Sequence, residues 1–199
     1  MLKIIKSSIY YVYLRKVDSS SKKLFEDKSV LSEYKVIKTP LLYWAADPFL
    51  VEIKNKTYLL AEFYNKLTNV GKISYCCLDD NKKIWKTLIK EKTHLSFPNA
   101  YVDNDKLVVI PESCAQKKIV KYIINIDTFK IEDKITILDG VNYVDSTYIQ
   151  YKDKYYLATS NYESKNEEHR LLLYSSDDNM KTIHLIDHIM DSDNKLRPA

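Results

Sequence analysis

The sequence predicts an all-β fold, a partial β-propeller of four-stranded antiparallel blades. Three observations carry that prediction: an ungapped internal repeat, short alternating runs of strand-forming residues within each copy, and turns built on Asn or Asp followed by Lys. The segment Asp47 to Glu62, moved 50 positions along the chain, places Pro48 on Pro98, Lys56 on Lys106 and Glu62 on Glu112 without a gap. Moved 98 positions, it places Asp47 on Asp145, Asn55 on Asp153, Lys56 on Lys154, Tyr58 on Tyr156 and Leu59 on Leu157. Self-similarity at a period of roughly 50 residues marks a stacked or radial architecture. A β-sandwich also contains many short strands, but it does not repeat in register.

Taken in order, Ser8–Val17 is expected to be a strand: Ile9 to Leu14 is apolar and aromatic, and Arg15-Lys16 ends it. The run is too short for a signal peptide, and nothing approaches the ~20 apolar residues of a membrane helix. Each repeat then reads as a strand, a tight turn and a second strand. Asn and Asp tolerate the positive φ that such hairpins need. A third strand follows at Lys72–Cys77, Ile119–Ile124 and Leu171–Ser175. Acidic turns come next, at Asp79-Asp80-Asn81, Asp127-Thr128 and Asp177-Asp178-Asn179, and are expected to be structural. A fourth strand is expected around Ile84–Ile89, Ile131–Leu138 and Ile183–Ile186.

Four antiparallel strands per repeat make a propeller blade. The expected organisation is a single incomplete propeller over 1–199. Residues 1–40 supply strands of a closing blade, 41–93, 94–142 and 143–194 form three blades, and 195–199 begin the next. Propellers have at least four blades. The ring therefore needs missing C-terminal blades or a second chain to complete it.

The composition fits a globular chain, with 45% hydrophobic and 29% charged residues. The 31 Lys and Arg exceed the 27 Asp and Glu only slightly and are spread along the chain, so no nucleic-acid-binding face is expected. Tyr is abundant at 17 residues and suits half-buried strand positions. Gly occurs only 2 times, so Asn, Asp and Lys must make the turns. Cys76 and Cys77 are adjacent and should point to opposite faces of a strand, and Cys114 stands alone. No zinc-ligand spacing and no nucleotide-binding Gly-rich loop is found, so no cofactor and no metal-ligand cluster are expected, with a lone Ca²⁺ or Na⁺ in the central channel left open. Unpaired cysteines suit a reduced, cytoplasmic setting.

Several short motifs occur in a fixed order: Ala46-Asp47-Pro48-Phe49-Leu50-Val51, His94-Leu95-Ser96-Phe97-Pro98, Ile110-Pro111-Glu112-Ser113, Val144-Asp145-Ser146-Thr147 and Leu196-Arg197-Pro198-Ala199. As an ordered set over about residues 42–199 they resemble the propeller domain named after the N-terminal part of plant glucosamine inositolphosphorylceramide transferase. Bacterial proteins of surface-polysaccharide type carry the same domain, which is similar in turn to the five-bladed glycoside hydrolases of families 43, 32 and 68. The resemblance implies a five-bladed ring and a carbohydrate or glycan ligand. This chain departs from the pattern at Asn99, where an aromatic or apolar residue is expected, and in ending early.

In a propeller the first strand of each blade lines the axis, so residues at its start converge on one mouth. Asp47 and Asp145 hold that place in two blades, with His94 and Ser96 just before the equivalent strand of the blade between them. Glu62 and Glu112 end the second strands at the same side. Glycoside hydrolysis needs paired carboxylates, one with a raised pKa to act as acid. The resemblance to family 43 implies Asp47 as general base and Asp145 as the residue that orients or tunes the acid; Glu112 is the candidate acid. Trp44, His94, Glu62 and Arg197 are candidate substrate contacts, with Tyr43 beside Trp44 at the mouth. Each has a structural alternative. Asp before Pro can cap a turn, the two Glu can bridge blades, His94 can close an inter-blade hydrogen bond, and the aromatic residues can simply pack. Two functions remain open at this point: a carbohydrate-active enzyme domain, and a glycan-binding or scaffold propeller without chemistry.

Overall fold

A computed structural model describes residues 9–17, 28–163 and 168–190. The described residues form β1 (Tyr13–Leu14), β2 (Lys35–Val36), β3 (Tyr43–Ile53), β4 (Lys56–Asn65), β5 (Val70–Cys77), β6 (Lys86–Ile89), β7 (Ser96–Asp103), β8 (Lys106–Glu112), β9 (Lys118–Asn125), β10 (Ile131–Asp139), β11 (Tyr143–Tyr151), β12 (Lys154–Glu163), β13 (Glu168–Ser176) and β14 (His184–Met190). The only helical pieces among them are two short 3-10 turns, at Lys28–Glu33 and Cys114–Gln116. None of these is long and apolar enough to cross a membrane.

Three antiparallel sheets have four strands each, in chain order: β3-β4-β5-β6, β7-β8-β9-β10 and β11-β12-β13-β14. The protein is thus an all-β partial propeller, and each sheet is one blade. The strand expected over Ser8–Val17 is shorter than its sequence suggests. Among its described residues only Tyr13–Leu14 pairs, with Lys35–Val36, and the Ile37 N–H donates to the Val12 carbonyl. Alternation alone cannot make a strand where the partner is two residues long. Residues 195–199, read as the start of another blade, lie outside the described residues.

The hairpin turns fall where expected, but the left-handed residue is the expected one only at Asn55; in the other two turns the residue before the Asp takes it. Lys54-Asn55 links β3 to β4 with both φ angles positive, at 49° and 61°. Asn104 and Lys152 open the equivalent turns at φ 51° and 54°. With so few glycines, Asn and Lys take most of the left-handed positions. Side chains then cap the next turns. Asn65 Oδ1 accepts the Leu67 and Thr68 N–H groups, and Asn125 Oδ1 accepts those of Asp127 and Thr128. Asp79 accepts the Thr57 N–H, and Asp178 accepts the Thr182 N–H, which holds its carboxyl down at about 2.

The middle strands are buried on both faces, because neighbouring residues point to opposite sides of the sheet and both sides are covered. On β4, Leu60 joins a cluster between the first two sheets, with Ile73, Leu95, Leu107 and Val109. Leu59, Ala61 and Phe63 point the other way, toward Val12 and Trp85. A third cluster, including Ile110, Ile119, Leu157 and Tyr174, joins the second and third sheets. Cys76 packs in the outer cluster of the first sheet, and all three cysteines are free. Polar bonds also join the blades. Asn99, in place of the expected apolar residue, is buried and accepts the Tyr148 N–H of the next blade at 3.0 Å.

Candidate functional site

The first hairpin of each blade carries the same defect. In the first blade, register shifts between Ala46↔Glu62 and Phe49↔Leu60. In the second it shifts between Ser96↔Glu112 and Asn99↔Ile110, and in the third between Val144↔Ser160 and Thr147↔Ala158. Two residues on the inner strand therefore oppose one on its partner, a β-bulge. Its first residue is left-handed each time: Asp47 at φ 49°, Phe97 at 42° and Asp145 at 53°. Pro48, Pro98 and Ser146 follow as the second bulge residue. Asp tolerates this conformation better than a bulky side chain does. The bulge bends the strand and re-aims the residue, and such strain gathers at functional sites.

The bulges also tie the blades together. Asp47 Oδ2 accepts the Phe97 N–H at 3.2 Å, and Glu112 Oε2 accepts the Asp145 N–H at 3.3 Å. A carboxylate of one blade thus caps the bulge of the next.

These residues line one cavity of about 570 Å³. Trp44, Asp47, Glu62, His94, Glu112 and Asp145, all candidates from the sequence, meet there, with Ser96. Arg197 lies outside the described residues. Tyr43 does not line the cavity, a correction to the expectation. Strand neighbours face opposite ways, and Tyr43 turns to Phe63 and Asn65 instead. Tyr10, Tyr11 and Tyr64 complete an aromatic wall that the sequence did not reveal. Trp44 stacks on Tyr64 at 4.5 Å and 14°, and Tyr10 leans on Trp44 at 5.0 Å. Tyr64 could be found only through register, since it pairs with Trp44 two residues beyond the Ala46–Glu62 pair.

His94 is held in one tautomer. Its Nδ1 accepts the Gly71 N–H at 3.0 Å, which leaves the ring proton of the neutral form on Nε2. Burial lowers its pKa, opposed in part by the Asp47 charge, so the ring is neutral near pH 7. Its Nε2 lies 3.4 Å from Glu62 Oε1. That oxygen is buried and has no hydrogen-bond partner among the described residues. An unmet buried acceptor costs about 1–3 kcal/mol. Gly71 makes the approach possible. A Cβ there would lie 2.6 Å from the Leu95 carbonyl oxygen, 2.8 Å from Glu62 Oε1 and 2.8 Å from His94 Cε1.

The two Glu differ. Burial, then the Asp47 charge, a hydrogen bond shared with Asp47 and the Glu112 charge push Glu62 up to about 8. Burial also raises Glu112, and the Asp145 and Asp47 charges add to it. The Asp145 N–H and Ser96 hydroxyl pull it back. Near neutral pH, Glu62 therefore holds a proton that it can share with Asp47. The arrangement can accept and give protons, and it can bind a donor-rich ligand against an aromatic face. No cluster of three or more His, Cys, Asp or Glu among the described residues has the geometry to hold a metal ion.

Fold and cavity together define a β-propeller with an acidic axial mouth. Solved structures with the same fold include a thermostable family-43 glycoside hydrolase, with TM-score 0.58 and 14% identity over 73% of this chain and 54% of that one. A family-43 β-1,3-galactosidase gives TM-score 0.61 and 13% identity over 79% and 38%. The GH32 β-fructofuranosidase of Bombyx mori gives 0.55 and 19% over 74% and 36%. The chain spans about half or less of the length of these structures. The family profile for glucosamine inositolphosphorylceramide transferase 1, N-terminal, matches residues 34–196, and the chain belongs to that family. No curated protein sequence matches it.

Proposed function

We propose that the chain is a carbohydrate-active propeller domain of glycoside-hydrolase type, acting on or binding glycans in surface-polysaccharide or glycolipid metabolism. One observation carries this reading. Asp47 and Asp145 occupy the same left-handed bulge in two blades and face one cavity beside the Trp44–Tyr64 wall. Flat aromatic faces suit sugar rings, and two carboxyl groups across a cleft are the machinery of glycosidic bond cleavage. In this reading Asp47 is the base, Asp145 orients the acid, and Glu112, raised by burial, is the acid. The family's glycolipid-linked name and the glycosidase titles of the similar folds support the substrate class. Further blades, on the same or a second chain, would complete a five-bladed ring. The three free thiols suit a cytoplasmic location.

A second reading, a glycan-binding or scaffold propeller, is favoured by the backbone hydrogen bonds that Asp47 and Glu112 accept. Turnover of a panel of chromogenic glycosides by the wild type and by Asp47→Asn separates the two. The enzyme reading expects Asp47→Asn to lower kcat by roughly 10²–10⁴ with an unchanged near-UV circular dichroism spectrum. Equal turnover in the mutant removes Asp47 from catalysis. Glycan binding without turnover in the wild type favours the second reading.

A further inference from the structure

The two most exposed large apolar side chains among the described residues, Leu41 at 90% and Leu67 at 71%, stand on adjoining loops beside the axial mouth. Leu41 and Leu42 form the turn that enters β3, closed by the Tyr43 N–H on the Pro40 carbonyl. Leu67 lies in the β4–β5 loop, where Asn65 Oδ1 accepts its N–H. The Lys66 N–H donates to the Leu42 carbonyl and ties the two loops together. Register sets their place, because Tyr43↔Asn65 ends the β3–β4 ladder one pair beyond Trp44↔Tyr64, which walls the mouth. A single exposed leucine is ordinary, but three fixed on neighbouring loop tips make a patch.

The charge around these leucines has one sign. Lys66, Lys90 and Lys92 are exposed, and the ion pairs of the described residues use other lysines, Lys54, Lys106, Lys118, Lys134 and Lys154. Lys90 and Lys92 flank a hollow of about 450 Å³ that Thr68 and Val70 close from the Leu67 loop. Its one acid, Glu91, already accepts from Lys134 and from the Tyr122 hydroxyl. The acids of the axial cavity are buried or half-buried inside the mouth, behind this rim. The turns at the opposite end of the blades carry Asp79, Asp80, Asp105, Asp127 and Asp153. A basic, apolar rim at one end and acids at the other turn the rim toward a negative surface.

We propose that this rim docks on the surface of an anionic lipid bilayer. Leu41, Leu42 and Leu67 enter the boundary between headgroups and acyl chains, and Lys66, Lys90 and Lys92 meet lipid phosphates. Lys is depleted from the cores of protein–protein interfaces, so leucine tips ringed by lysines suit a bilayer better than a protein partner. Hydrogen bonds already hold both loops, so docking orders little. In this orientation the axial mouth opens at the level of the headgroups. The proposal goes beyond the carbohydrate reading above and does not depend on it.

Co-sedimentation of the full chain with lipid vesicles tests it, using phosphatidylcholine alone and equal parts of phosphatidylcholine and phosphatidylserine. The expected result is about tenfold or tighter preference for the anionic vesicles, weakened by added salt. Leu41→Ser combined with Leu67→Ser should lower that affinity about tenfold or more. Lys90→Gln combined with Lys92→Gln should lower it roughly twenty-fivefold, since one Lys near such a surface is worth about fivefold, and should flatten the salt dependence. All four residues are exposed, so the thermal unfolding midpoint should stay at its wild-type value. Ile84→Ser, which removes an exposed apolar side chain at the acidic end, should leave binding unchanged. No binding, or equal binding to the two kinds of vesicle, overturns the proposal. Full binding by the leucine variant also overturns it, since contact is then electrostatic adsorption without insertion. A loss in Ile84→Ser as large as in the leucine variant overturns it by placing the contact elsewhere. Self-association of the wild type in sedimentation velocity, abolished by the leucine variant and without vesicle binding, overturns it in favour of an interface between copies of the chain.

Discussion

Glu62 and Glu112 stand at the same register position in successive blades, opposite Ala46 and Ser96, yet they are chemically different groups. Glu112 is half-buried, with the Asp145 N–H and the Ser96 hydroxyl as donors. Glu62 is buried beside Asp47 and a neutral His94, and one of its oxygens has no donor. The third blade has Ser160 in that place, its hydroxyl also buried and without a partner among the described residues. Duplication supplies the backbone position. The residues that the next blade and the preceding loop bring to it decide whether it bonds, titrates or binds.

The sharpest way to break this comparison is pH. Glu62 is raised to about 8 in the folded chain, from the ordinary 4.5. Between about pH 5 and 8 the folded state holds a proton that the unfolded state has lost. Stability from this group is therefore present at the acid end and lost as pH rises through 8, at about 1.4 kcal/mol per pH unit. Urea denaturation of the wild type and Glu62→Gln across this range should show a difference that grows with pH in favour of the mutant. Glu112→Gln should show the same sign over a narrower pH window, because two donors favour its charged form. Windows of equal width would mean that the two sites share one environment.

A smaller effect is expected at the glycine that lets His94 reach its place. Gly71→Ala puts a methyl group within 2.6 Å of a backbone oxygen, which cannot rotate away. Overpacking of this kind costs about 1–3 kcal/mol. Thermal unfolding should show the loss. The imidazole NMR shifts of His94 should also move, since the Gly71 N–H fixes its tautomer. Destabilisation without any change at His94 would show that Gly71 serves packing alone.

Much of this was legible before the coordinates, because it depends on local chemistry repeated in register. The Pro48, Pro98 and Ser146 alignment marked three equivalent positions, though not that each sits in a bulge, and Asn or Asp before Lys found three hairpin turns. Six of the candidate residues line one cavity because equivalent positions of a radial repeat face the axis. The rest depended on partners distant in sequence. Tyr10 and Tyr11 read as strand residues, but the short β1–β2 pairing leaves them beside the mouth. Tyr43 and Trp44 looked equivalent until the register gave only Trp44 to the cavity. Asn99 looked like a departure until it was found to meet a backbone N–H of the next blade.

Phe97 offers the finest test of what the duplication fixed. It is the bulge residue of the second blade, where its neighbours have Asp, and at φ 42° it carries a bulky side chain in a left-handed conformation. L-residues lose roughly 1–2 kcal/mol there, and Asn loses less because its short polar side chain can bond locally. Its N–H donates to Asp47 and needs no particular side chain. Phe97→Asn should therefore gain strain relief, set against the loss of a half-buried ring. The expected net effect is within about 1 kcal/mol of zero, measured as a urea midpoint shift at constant slope. If the bulge geometry belongs to the repeat, the mutant also keeps the wild-type backbone shifts at Pro98 and Asp47. A large destabilisation would show instead that the ring holds the second blade's bulge open, and that this blade reached the shared geometry by a different route.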